Sequence, residues 1–370
     1  MTSSNGRDGN APGANATPAG FDAWLAKMPP AYFALVMATG ILAIACSLVG
    51  VPTLPRVLVT INLAAYAILW ILTLLRIARH GRVFLADFSS HQRGPGFFTA
   101  VAATSVVGTH LAVLDHSFAA AHALWGLALL LWLLLTYSIF TALTIKEEKP
   151  TLVDGLNGGW LTAVVATQSL VVLGCASKID FGGNPELVAL TLTSLWLAGG
   201  MLYIWLIAII FYRYTFLKFS PSDLSPPYWI NMGAMAISTL AGALLVKAAP
   251  SSPLLTSLLP FLKGFTLLYW ATATWWIPML IVLGAWRHVA RGVPLTYDPL
   301  YWGLVFPLGM YATATFRLAE VLEAPFLVHV TNAFVAMACV AWSLTMFGML
   351  GTIARGVAKQ NAGVGLRNAD

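Results

Sequence analysis

Charge is scarce in this sequence. Asp, Glu, Lys and Arg make up 9% of its 370 residues, where a soluble domain carries about 25%. A water-facing surface cannot be built from so little, which excludes a soluble globular fold. Cysteine is scarcer still, with Cys46, Cys175 and Cys339 alone. Three thiols with no ligand spacing exclude a disulfide framework and are expected to pack as small apolar side chains. No Gly-rich loop that could cradle phosphates is present, which argues against an ATP-driven pump. The first residues lack the basic-then-apolar layout of a cleaved signal peptide, and no cofactor is expected.

What the chain has is apolar length. It is 59% hydrophobic with a mean hydropathy of +0.79. A membrane crossing needs about 20 apolar residues. Ten such runs are expected, at 31–50, 57–78, 96–114, 119–143, 159–176, 186–211, 229–248, 256–285, 300–320 and 326–352. The reading is an all-α integral membrane protein with one transmembrane domain over 29–355. Residues 1–28, rich in Gly, Ala, Ser, Asn and Pro, are expected to be a disordered cytoplasmic tail, and 356–370 a second cytoplasmic tail.

One phrase recurs five times: Pro30-Ala31-Tyr32-Phe33, Pro95-Gly96-Phe97-Phe98, Gly158-Gly159-Trp160-Leu161, Pro226-Pro227-Tyr228-Trp229 and Pro299-Leu300-Tyr301-Trp302. The copies lie 63 to 73 residues apart, enough for two crossings and their loops. The repeat unit is therefore a helical hairpin. A two-span unit returns the chain to its starting side, so five copies point the same way and are related by an axis along the membrane normal. Five parallel hairpins in a quasi-fivefold ring around a central pore are expected.

With the N-terminus in the cytoplasm, Lys and Arg divide 15 inside to 5 outside. That asymmetry supports ten spans with both termini cytoplasmic, in a cell (inner) membrane. It accounts for the net charge of +6 as an orientation signal rather than a nucleic-acid surface. Odd spans carry more small and polar residues, and even spans more Leu, Ile, Val and Trp. Hydrocarbon offers polar side chains no partner, so the odd spans are expected to be inner.

The stretches MPPAYFALVMATGILAI (28–44), HQRGPGFF (91–98) and TYDPLYWGLVFPLGMYA (296–312) resemble the tellurite-resistance/dicarboxylate transporter family. That family includes bacterial tellurite-resistance proteins, fungal malate carriers and sulfite pumps, and plant slow anion channels. The resemblance covers about residues 28–355. It implies a homotrimer with one pore per subunit, anion selectivity, and a Phe on span nine that plugs the pore. Phe306 is the best match to that gate. The substrate would be a small anion such as a C4-dicarboxylate, tellurite, sulfite or an inorganic anion.

Pro307, inside span nine, is expected to kink it. The positions equivalent to Phe306 in the other repeats are Met37, Ala102, Val165 and Gly233, and these are pore-lining candidates. Thr39, Thr104 and Thr167 sit two residues further on, about 200° around a helix. Both sets cannot face one axis, and the threonines are secondary candidates. Thr313 and Arg317 fall on the Phe306 stripe. Arg317, with Glu320 at i+3 to pair with, is the anion-attracting candidate. Lys247 and Lys263 join it on the outer half.

No carboxylate pair or histidine is placed mid-membrane to shuttle protons. Flow is therefore expected to be channel-like or potential-driven rather than tightly proton-coupled; voltage-independent transport is a separate expectation. Two other readings compete. One is a membrane-embedded metal-dependent enzyme with a site near His110, Asp115 and His116, where His122 also lies; the spacing matches no standard metal site. The other is a ligand-sensing membrane protein without throughput.

Overall fold

The computed structural model describes residues 20–367. It contains thirteen α-helices: α1 (Phe21–Lys27), α2 (Ala34–Leu48), α3 (Leu54–Phe88), α4 (Phe98–Val113), α5 (Phe118–Ile145), α6 (Leu152–Gly155), α7 (Thr162–Ala176), α8 (Pro185–Phe216), α9 (Ile230–Ala248), α10 (Pro253–Ser257), α11 (Leu259–Ala285), α12 (Trp302–Val321) and α13 (Val328–Arg367). The described residues are all-helical, without strands. Among the described residues nine helices are long and apolar enough to cross a membrane. The run expected at 300–320 forms helix α12 but is less apolar, because Pro307, Gly309, Arg317 and Glu320 dilute it.

Each recurring phrase is the start of a short helix. Pro30–Phe33, Gly94–Phe97, Gly158–Leu161, Pro226–Trp229 and Pro299–Tyr301 are 3₁₀ turns leading into α2, α4, α7, α9 and α12. Proline suits these turns because the N–H it lacks has no helical partner there. The turns touch one another in sequence, and the fifth touches the first. Thr99 Oγ donates to the Pro30 carbonyl at 3.2 Å, and Thr162 Oγ to the Pro95 carbonyl at 2.6 Å. At Gly158 a Cβ would lie 2.4 Å from the Pro227 carbonyl oxygen, so two turns meet there at a distance only glycine allows.

The same cycle continues along the short helices. α2 packs on α4, α4 on α7, α7 on α9, α9 on α12, and α12 on α2. Each long helix packs on the short helix before it and also on the next one along: α3 on α2 and α4, α5 on α4 and α7, α8 on α7 and α9, α11 on α9 and α12, α13 on α12 and α2. Burial follows this layering. The apolar windows of α2, α4, α7 and α9 are 78–89% buried, and those of the long helices only 17–33%. The odd–even contrast thus separates an inner from an outer layer. Outer side chains such as Ile68, Leu134, Ile204 and Leu344 are exposed, as lipid-facing residues must be.

The ends of the chain depart from the expected tails. Residues 1–19 lie outside the described residues, but 21–27 form α1, which packs on α3. Asp22 faces Arg79 and His80, and Arg76 and Arg93 donate to the carbonyls of Ala26, Lys27 and Met28. Buried Asp87 holds Arg76 at 2.7 Å and Arg93 at 2.7 Å. α3 outruns its expected end at 78 by ten residues, with a non-helical step at His80 (φ −130°, ψ 36°). The expected C-terminal tail, 356–370, is helical to Arg367, and 368–370 lie outside the described residues.

Candidate functional site

A cavity of about 330 Å³ lies where the C-terminal halves of the five short helices meet. Its walls come from all five. Ile41 and Ile44 line it from α2, Val106 and Thr109 from α4, Ser169 and Val172 from α7, Ile237 and Leu240 from α9, and Met310 and Thr313 from α12. These pairs follow one rule: they stand four and seven residues beyond Met37, Ala102, Val165, Gly233 and Phe306. Four and seven residues return to the same helix face. The cavity therefore exposes one stripe per helix, and each stripe runs back to one of the five equivalent positions.

Those five positions lie about one turn nearer the helix N-termini than the cavity lining, and all are buried. Phe306 is 1% exposed. Gly233 abuts the Pro307 ring, where a Cβ would sit 2.7 Å from Pro307 Cγ. Pro307 is inside α12, which runs through it as helix. Lacking an N–H, it leaves the Gly303 carbonyl without its usual i+4 donor.

Thr39, Thr104 and Thr167 face the outer layer. Trp342 of α13 donates to Thr39 at 2.9 Å, Tyr66 of α3 bonds Thr104 at 2.9 Å, and Trp132 of α5 donates to Thr167 at 2.9 Å. Thr315 of α12 receives Trp270 in the same way at 3.0 Å. Thr313, in contrast, lines the cavity and bonds the Gly309 carbonyl at 3.0 Å. Ser105 also lines the cavity, and its buried hydroxyl has no hydrogen-bond partner among the described residues. A buried polar group without a partner is costly.

The rim is cationic. Arg317, Lys247 and Lys178 all line the cavity. Glu320 bonds two of them, Lys247 at 2.8 Å and Arg317 at 2.8 Å; the i,i+3 pair read from the sequence is formed. Lys263 does not line the cavity. Lys178 was not singled out by the sequence, because it follows the end of α7 and reaches the rim through the turn there. Ser105 and Ser169 were legible only as two of the polar residues that mark the odd spans as inner, not as cavity-lining positions.

The outer-loop histidines do not converge. His110 is fully buried and its Nδ1 meets Asn62 Nδ2 at 3.5 Å. His122 Nε2 bonds the Ser177 carbonyl at 2.8 Å. Asp115 and His116 are exposed. Among the described residues no group of three His, Cys, Asp or Glu is placed to hold a metal ion.

The geometry leads to a comparison with known proteins. A family model described as voltage-dependent anion channel matches residues 27–350. The chain belongs to the voltage-dependent anion channel family. The family membership agrees with the resemblance to tellurite-resistance/dicarboxylate transporters read from the sequence. An uncharacterized membrane protein of Mycobacterium tuberculosis is 35% identical over 149 residues, covering 40% of this chain and 75% of the relative. Two uncharacterized transporters of Methanocaldococcus jannaschii match over more of the chain. One is 26% identical over 327 residues, covering 86% of this chain and 91% of the relative. The other is 24% identical over 301 residues, covering 79% and 85%. Family and relatives together point to anion transport across a membrane.

Proposed function

We propose that the chain conducts small anions through a pore on the axis of a fivefold ring. In this reading ten spans form five hairpins, and α2, α4, α7, α9 and α12 enclose the path. The observation that carries the reading is the cavity. Its five walls are the stripes that run back to Met37, Ala102, Val165, Gly233 and Phe306, one turn nearer the helix N-termini. Phe306 is the gate, Pro307 bends or loosens α12 beside it, and the other four positions complete a dry constriction. A dry constriction passes anions without trapping them. Thr39, Thr104 and Thr167 serve instead as joints to the outer layer.

The cationic rim, Arg317 included, raises the local anion concentration. The permeant species belongs to the range that the sequence resemblance implies: C4-dicarboxylates, tellurite, sulfite or inorganic anions. Conduction is voltage-independent in this proposal, since the charges of the short helices gather near their ends rather than in a row such as a voltage sensor carries. A homotrimer in the cell (inner) membrane, with both termini cytoplasmic, completes it.

The test is flux in proteoliposomes with chloride, nitrate, sulfite and succinate, for the wild type and Phe306→Ala. Removing the phenyl is expected to lower the barrier by about 1.4 kcal/mol or more, about tenfold in flux. Absence of anion flux from both proteins would refute the reading.

A further inference from the structure

The three cations at the rim are not equivalent. Lys247 and Arg317 share Glu320, so part of their charge is cancelled in place. Lys178 makes no ion pair among the described residues. Its ammonium lies 5.9 Å from the centroid of the Phe118 ring, a partner that orients a cation without neutralising it. Lys178 is exposed, so water and solutes reach it.

Lys178 also stands where a lysine is costly. It holds φ 54° in the turn that ends α7, where Ile179 N–H donates to the Gly174 carbonyl at 3.0 Å. The same turn ends α2, with Val51 N–H donating to the Cys46 carbonyl at 2.9 Å. There the left-handed position is Gly50, φ 75°. Glycine enters this region freely and other residues do not. After α12 the position is Glu323, φ 55°, whose side chain is not part of the cavity lining. At the α7 turn a lysine with backbone strain is among the residues that line the cavity.

We propose that Lys178 is the anion-capturing residue of the cavity mouth, held there at the expense of the α7 turn. The proposal rests on the pore reading above. It makes Lys178, rather than Arg317, the first cation that an entering anion meets. Capture by a charge that is not cancelled sets the half-saturating external concentration. Passage past Phe306 sets the maximal rate.

The experiment compares the wild type, Lys178→Met, Lys178→Gly and Lys178→Arg as full chains, in flux and in thermal unfolding. Nitrate and succinate are the probes. Lys178→Met should raise the half-saturating concentration about threefold to tenfold at low ionic strength while leaving the maximal rate unchanged. The difference should shrink towards 1 M salt, where the Debye length is about 3 Å. Lys178→Arg should behave as the wild type. Lys178→Gly should show the same loss of capture together with an unfolding temperature higher by about 2 °C, since it relieves the turn. An unchanged half-saturation in Lys178→Met, with flux intact, overturns the capture role and leaves transport standing. If neither the wild type nor Phe306→Ala conducts, the transport reading fails. Capture is then read from the rise in unfolding temperature with added nitrate or succinate: present in the wild type and lost in Lys178→Met if the role holds, equal in both if it does not.

Discussion

The indole N–H of Trp342 donates to Thr39 Oγ at 2.9 Å, joining the last long helix to the first short one across 303 residues. Trp132 with Thr167, Trp270 with Thr315 and Tyr66 with Thr104 repeat the contact at three other seams. At the seam between α8 and α9, Trp196 donates to the Ser238 carbonyl at 2.9 Å. An aromatic side chain on the outer helix thus hydrogen-bonds the next inner helix at every seam.

Trp342→Phe is expected to destabilise the protein by about 1–3 kcal/mol, because Thr39 has no other hydrogen bond among the described residues and its hydroxyl would be left buried and unpaired. Trp132→Phe should cost less. Thr167 still donates to the Ala163 carbonyl at 2.9 Å, leaving a net loss of about 1 kcal/mol. Thermal unfolding of both variants in one detergent checks the order, and equal shifts would contradict it.

These seams mark the boundary of what the sequence discloses. The five phrases foretell where the short helices begin, because Pro and paired aromatics act within a few residues of the backbone they shape. The layering is legible for the same kind of reason, since lipid and helix neighbours impose different compositions. The azimuth of each inner helix is not legible. Thr39 and Met37 are both tolerable in a core, and what separates them is Trp342, some 300 residues away in the chain. Helix α1 escapes notice because, beside the Asp22 pairs, its hold on the protein comes from backbone carbonyls bonded by Arg76 and Arg93, and carbonyls leave no trace in composition. The rim was legible in Arg317 and hidden in Lys178, whose position depends on a turn conformation that its residue type disfavours.

Glycine substitutions should have opposite signs at two sites. Gly158→Ala places a methyl 2.4 Å from the Pro227 carbonyl oxygen, a backbone atom that cannot swing aside. A cost of about 3 kcal/mol is expected, read as a lower unfolding temperature or loss of monodisperse protein. Gly264, on the outer helix α11, has nothing within 4 Å of its Cβ direction. Gly264→Ala should be neutral or stabilising by up to about 1 kcal/mol. Stability measured on the pair checks both.

The thiols of Cys46 and Cys339 lie 3.8 Å apart, on α2 and α13. A disulfide needs about 2 Å between sulfurs, so a small approach suffices. Membrane-permeant copper-phenanthroline is expected to join them, leaving Cys175 as the free thiol. Mass spectrometry of the digested protein should find the linked peptides, and Cys46→Ser should abolish them. Recovery of three free thiols after oxidation would show that the two helices hold their sulfurs apart. The pair was invisible in the sequence, where 293 residues separate its members.

Each long helix covers the joint between two short ones, as roof tiles cover the gaps in the course beneath. Acyl chains press on the tiles and never on the joints. A bilayer that thickens or thins must first tilt the outer course, and that tilt reaches the inner layer through the aromatic contacts at the five seams. The inner layer thereby meets the membrane only through the outer course.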